Sequence, residues 1–221
     1  MSTTRDPQLV TIDTLKKLVG LTALFFPAVL ILLSFTSGQC SVVQETISHY
    51  YYSIVGNVFV GALAAIAVFL IVYKGYPDSH DNFVTSMAGV FALGVALLPT
   101  SAPCDTSSCI VVDLKGVADV STWHYVSAAS MFITLAYVSI FLFRKSGNQP
   151  TPQKLRRNKI YFMCGLLILL SIIAIAILGL TDLVTEEWLC ESKIIFILEW
   201  VALFAFGLSW MVKGGFLFGD K

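Results

Sequence analysis

The sequence predicts an all-α fold: a bundle of six transmembrane helices with both termini cytoplasmic. Three observations carry that expectation. The 221 residues are 57% hydrophobic and only 13% charged, with a mean hydropathy of +0.81, against about 25% charged residues in a soluble domain. A soluble domain of this size buries only ~70% of its unfolded surface, too little to hide so much apolar side chain from water. The apolar residues also fall in six continuous runs, unlike the ~10-residue alternating segments of a β-barrel. Finally, the basic residues are unevenly placed between those runs. The same composition excludes a disordered chain, a nucleic-acid-binding protein and a disulfide-framework mini-protein.

A helix needs about 20 mostly apolar residues to cross ~30 Å of hydrocarbon. Span one covers 18–35 and follows Lys16 and Lys17. Its polar leader sets it apart from a cleavable signal peptide. Span two covers 53–73 and ends at Lys74. A tight turn at Pro77 and Asp78 leads into span three, 83–100. Span four covers 123–143, closed by Arg144 and Lys145, with Asp119, Ser121 and Thr122 placed to cap its start. The polar segment 144–159, which contains Pro150 and Pro152, reads as a mobile linker to span five, 160–180. Thr185, Glu186 and Glu187 have the pattern that starts a short helix. Span six covers 194–212 and ends at Lys213. The whole chain, 1–221, forms a single integral membrane domain in this reading.

Small residues predict where helices touch: Ala88, Ala92 and Ala96 on span three, Gly61 and Ala65 on span two, Ala202, Ala205 and Ser209 on span six. Tyr50, Tyr51, Tyr52, Trp123 and Trp188 at one boundary, and Tyr73, Tyr76, Tyr161 and Trp210 at the other, read as aromatic belts.

With the N-terminus inside, the inner segments hold Arg5, Lys16, Lys17, Lys74, Arg144, Lys145, Lys154, Arg156, Arg157, Lys159, Lys213 and Lys221. The outer loops hold only Lys115 and Lys193. The positive-inside rule then sets the orientation. Zero net charge, from 14 basic and 14 acidic residues, is thus a sum over two unlike faces.

Cys40, Cys104, Cys109 and Cys190 all map to outer loops, and Cys164 sits in span five. Four cysteines facing an oxidising space predict two disulfides. Three pairings are open. Cys104 with Cys109 would close a small ring and leave Cys40 for Cys190. A thiolate zinc site is the rival, although Cys-x4-Cys with scattered partners is a poor zinc spacing.

Glu199 lies inside span six, and a charge placed in lipid is by default a candidate functional residue. At ~1.5 Å per residue, Glu199 stands about 21 Å from Lys213, His124 about 30 Å from Arg144, and Asn57 about 26 Å from Lys74. With Ser127 and Thr100 they make one polar layer in the outer half of the bundle. His49, at about 37 Å, joins only if span two tilts. A carboxylate beside an imidazole can work as a base or proton relay, or hold zinc or another divalent metal once a third ligand arrives. His49 and His124 are the metal candidates, with Glu45, Asp113 or Asp119 to complete the set. No other cofactor is expected. The competing reading makes Glu199 a hydrogen-bonded link between helices and the histidines plain interfacial residues.

Three functions stay open. One is a non-enzymatic protein that binds or moves a small or lipidic ligand through an outward-facing polar pocket around His124, Glu199 and Asn57. Another is a metal-dependent membrane hydrolase using His49 and His124, although no H-x3-H spacing supports it. The third is a non-catalytic scaffold or effector that acts by assembly, for instance as a homo-oligomer. The expected partners are the bilayer itself and anionic lipid along 144–159, from Arg144 to Lys159, at ~1 kcal/mol per charge. No nucleic acid is expected.

The stretches ISHYYYSIVGNVFVGAL (47–63), AGVFALGVALLPT (88–100) and RNKIYFMCG (157–165) resemble multi-pass bacterial membrane proteins of no assigned function. The resemblance implies a six-helix bundle in a bacterial inner membrane and carries no catalytic residue with it.

Overall fold

The structure is a computed structural model that describes residues 11–38, 40–75, 80–104, 109–112, 117–147 and 149–218, with the backbone alone for 117–119. Among these residues it is all-helical apart from one isolated antiparallel bridge, Ser53 to Ile110. The helices are α1 (Ile12–Thr36), α2 (Gly56–Val72), α3 (Asp81–Leu97), α4 (Val117–Tyr137), α5 (Pro152–Leu180), α6 (Glu186–Ser192) and α7 (Ile194–Lys213). A 3-10 turn, Ser48–Tyr52, precedes α2, and a π turn, Val138–Leu142, continues α4. Four helices are long and apolar enough to cross a membrane: α1, α4 with its π turn, α5 and α7. The apolar helices α2 and α3 are shorter, 17 residues each.

The long helices and α2 and α3 form a closed ring in the order α1, α2, α3, α4, α5, α7 and back to α1. Glycines set the closest crossings. A Cβ on Gly20 of α1 would come 2.7 Å from the Gly207 carbonyl of α7, and one on Gly207 would come 2.6 Å from the Gly20 carbonyl. Those two backbones touch because neither residue has a side chain. Gly89 of α3 meets α2 at Ala67 and Ile71 in the same way, and Gly165 of α5 meets Ala136 and Ile140 of the α4 rod. Ala88, Ala92 and Ala96 are fully buried, as are Ala202 and Ser209. Gly61 has open space where a side chain would be, so it makes no helix contact.

Both the first turns of α1 and the end of α7 lie at one end of the bundle, where Gly214 packs on Asp13 and Lys17. That basic end holds every described Lys and Arg except Lys193. Cys40, Cys104, Cys109 and Cys190 mark the opposite, cysteine end.

Several element boundaries differ from the apolar runs. Helix α5 starts at Pro152, with the Thr151 hydroxyl accepting from the Lys154 N–H at 3.1 Å. The second half of the expected linker is therefore helix. Proline at the first position costs no hydrogen bond, and the charged first turns carry no hydropathy signal. Helix α4 begins at Val117, so Asp119, Ser121 and Thr122 lie within it rather than ahead of it. The helix α6 does begin where its acidic pattern predicts, with Thr185 accepting from the Trp188 N–H at 3.2 Å. The aromatic belts are only half there. Trp123 and Trp188 are exposed, but Tyr50, Tyr52, Tyr73, Tyr161 and Trp210 are buried. At the basic end Phe69, Tyr73, Phe143 and Trp210 pack edge to face inside the ring. Tyr76, Pro77 and Asp78 lie outside the described residues.

The cysteine end is tied by two pairs of sulfurs at bonding distance, Cys40 with Cys109 and Cys104 with Cys190. The small Cys104–Cys109 ring is not formed. Closeness in sequence misleads here, because the bridge from Ser53 to Ile110 and the Val111 N–H bond to the Tyr52 carbonyl, 2.9 Å, bring Cys109 to the loop after α1. Cα separations are 4.8 Å and 6.1 Å, inside the range a disulfide spans. Peptide mapping of unreduced protein should therefore recover 40–109 and 104–190 linkages, and reduction should cost about 2–5 kcal/mol of stability. A recovered 104–109 peptide would refute the arrangement.

Candidate functional site

The site is built around the loop from Cys40 to Ser53, which crosses the cysteine end of the ring between α1 and α2. Its centre is a short run in which Glu45 and His49, four residues apart, face each other across one turn. The loop has no regular partner strand, so its backbone must find acceptors elsewhere. Helix α7 supplies one. The Ile47 N–H donates to Glu199 Oε2 at 2.6 Å, and the Phe196 N–H, from the first turn of α7 where no intrahelical acceptor exists, donates back to the Glu45 carbonyl at 3.1 Å.

Helix α4 grips the next residue. The His124 ring is 1% exposed. Its Nδ1 lies 2.8 Å from the Leu98 carbonyl, which can only accept, so Nδ1 carries the proton. Nε2 is then the acceptor for the Ser48 hydroxyl at 3.1 Å. Glu199 and His124 thus hold consecutive residues, Ile47 and Ser48, from two helices, α7 and α4.

Glu45 forms the outer part of the cluster. It is buried, its Oε2 accepts from His49 Nδ1 at 3.0 Å, and its Oε1 accepts from Lys193 Nζ at 2.9 Å. Lys193 is the left-handed link between α6 and α7, φ 53°, so its position fixes the junction that starts α7. Burial works against the Glu45 charge, but the hydrogen bonds from His49 and Lys193 outweigh it and bring the carboxyl down to about 2. Tyr52 completes the loop by donating to the Thr100 carbonyl at 2.5 Å. Burial, with Tyr51 and Tyr125 nearby, pushes that phenol up to about 12, so it remains a donor.

The sequence-predicted residues separate into two groups. Glu199, His124 and His49 come together at this loop, and Glu199 faces the Ile47 amide rather than the His124 ring. Thr100 is buried beside them and contributes its main-chain carbonyl. Ser127 packs on Gly94 of α3, one turn below His124. Asn57 is exposed and stands apart from the cluster. Asp113 and the side chain of Asp119 lie outside the described residues. Among the described residues no three His, Cys, Asp or Glu side chains form a metal-holding group. A metal at His49 and His124 would have to displace the Leu98, Ser48 or Glu45 bonds. Sequence reasoning missed Ser48 and Lys193. Ser48 stands 76 residues from His124, and no local pattern connects them.

Comparison with protein-family models, curated proteins and solved structures finds no match.

The Glu45 carboxyl sits below its ordinary 4.5, so its stabilisation is complete above about 4.5 and is lost as pH falls through about 2. Hydrogen exchange of 44–50 in detergent should rise across that interval. In Glu45→Gln the segment should exchange faster already near neutral pH and show no further acid step; an acid step retained in that variant would refute the assignment.

Proposed function

We propose that the chain is a six-span integral protein of a bacterial inner membrane, with both termini cytoplasmic, that binds or passes a small or lipidic ligand at its outer end. Several features support the six spans. At 17 residues each, α2 and α3 reach the lower limit for a spanning helix, and both take full places in the ring. The orientation is supported by the asymmetry of basic residues, which belong on the cytoplasmic side. Cysteine pairing at the other end fits an oxidising compartment. Cysteine scanning of intact cells tests this directly. An impermeant maleimide should label Glu187→Cys and leave Ser146→Cys unlabelled until the cells are opened, and the reverse pattern would overturn it.

The observation that carries the ligand reading is the double grip on Ile47 and Ser48. An intramembrane carboxylate and a buried imidazole are costly residues to use as packing. Here both hold a loop that Glu45, His49 and Lys193 clamp from outside. Release of that loop would leave Glu199, His124 and the Phe196 N–H without their loop partners, a polar recess lined by apolar helices. Glu199→Gln keeps an acceptor for the Ile47 N–H, so folded yield should hold. Native mass spectrometry of protein extracted in mild detergent should show a retained small molecule or lipid in the wild type, with occupancy reduced about tenfold in Glu199→Gln, the scale of one charged hydrogen bond. Equal occupancy in both proteins, or none in either, would overturn this reading.

One observation favours a catalytic alternative. The Ser48 hydroxyl, His124 Nε2 and the Leu98 carbonyl on Nδ1 are ordered as nucleophile, base and orienting group. Ser48 Oγ would attack an acyl carbon as Nε2 takes its proton, and collapse of the tetrahedral adduct would break the bond to the leaving alcohol or amine, which receives that proton from Nε2 and leaves acyl-Ser48. A fluorophosphonate probe should then label the wild type and not Ser48→Ala; an unlabelled wild type leaves only the binding reading.

A further inference from the structure

At the basic end, four helix ends enclose a cavity of about 730 Å³. Six cations reach it: Lys16 and Lys17 from α1, Lys74 after α2, Lys154 and Arg157 from α5, and Lys213 from α7. Among the described residues, Asp13 is the one carboxylate that lines it with them. A topological signal requires only that such charges lie on the inner side, and long side chains serve it best by reaching outward into water. Lys16, Lys154 and Lys213 do the opposite. The Lys16 side chain is 12% exposed, bonded to Asp13 at 2.8 Å and set over the Tyr73 ring. Lys154 donates to the Phe143 carbonyl at 2.8 Å and lies over the Tyr161 ring. Lys213 stands over Phe143, in the electrostatic range of Lys16 and Arg157 and of the carboxylates Asp81 and Asp13. Cations gathered from α1, α5 and α7 around one cavity favour an anion in it.

We infer that this cavity binds a phosphate-bearing ligand. The charge excess suits a doubly or triply charged group rather than a lone carboxylate. The first turn of α1, at Thr11 and Ile12, brings a positive helix end to the same cavity, which the C-terminal ends of α2 and α7 offset, so the side-chain cations carry the attraction. The volume lies within the ~300–1,000 Å³ of small-molecule sites, so it takes a headgroup or a small organic phosphate and not the phosphate alone. Aromatic walls at Tyr73 and Tyr161 suit the organic part. The shared chemistry is the phosphate, whether it arrives on an inner-leaflet phospholipid or on a soluble compound. The expectation of anionic lipid along 144–159 is thereby narrowed: Lys154 and Arg157 enter the cavity, whereas Lys159 is exposed and lies outside its lining. The inference is independent of the ligand reading at the cysteine end.

Two binding arms test it on the full chain. Calorimetry with inorganic pyrophosphate in uncharged detergent reads the soluble source. Native mass spectrometry from nanodiscs of phosphatidylcholine with phosphatidylglycerol reads the lipid source. The variants are Lys16→Gln and Lys74→Gln in the cavity and Lys159→Gln outside it. Lys74 is exposed, so its variant keeps the test open if Lys16→Gln fails to fold. Saturable binding in either arm, weakened about tenfold by a cavity variant and unchanged in Lys159→Gln, supports the inference and the responding arm names the source. Binding weakened equally by Lys159→Gln, or no binding in either arm, overturns it.

Discussion

The hydrogen bond from the Ile47 N–H to Glu199 is the contact on which the cysteine end depends. It joins a carboxylate within an apolar helix to the backbone of a loop that has no strand to pair with. A hydrogen bond is worth about 0.5–1.5 kcal/mol net, and an N–H buried without one costs about 1–3 kcal/mol. Once Ile47 is fixed, the next residue is presented to His124 and the preceding turn sets Glu45 between His49 and Lys193. Tyr52 then falls beside Thr100, and the backbone after it pairs with Ile110 and Val111. The cysteine pair at 40 and 109 follows from that alignment. Each contact is local only after the one before it has been made.

Packing in the ring obeys a different constraint. Lipid tails are as apolar as leucine, so helices gain nothing by hiding leucine from them and associate through close backbone approach. Gly20 against Gly207 closes the ring between its first and last spans. That crossing brings together helices separated by almost the whole chain. Large aromatic side chains, Trp210 foremost, fill the wider space towards the basic end.

The sequence shows the helices well because continuous apolar runs leave few alternatives, and the α7 run, 194–212, differs from Ile194–Lys213 by one residue. It shows boundaries poorly where a helix extends past its apolar stretch. Hydropathy reports the lipid-facing length, whereas α5 is set by the Thr151 cap and Pro152. Single residues of the site were visible too, since a carboxylate in span six and a histidine at the start of span four are costly. Their partners were not. Depth along a helix places Glu199 and His124 at similar levels, but rotation about the axis decides what each one meets, and the loop between α1 and α2 has no period from which to read its path. The same ambiguity put Asn57 in the polar layer, although it faces outward.

Helix α7 links the two ends of the molecule. It carries Glu199 at the 40–53 loop, Gly207 at the crossing with α1, and Lys213 at the cationic cavity. At the crossing with α1 the Met211 and Leu24 side chains flank the two glycines. At the loop α7 is tied twice more beyond Glu199, by the Phe196 N–H bond to the Glu45 carbonyl and by Lys193, which precedes it, on the Glu45 carboxylate. The two polar ends therefore share one packed helix, held at three levels along its length.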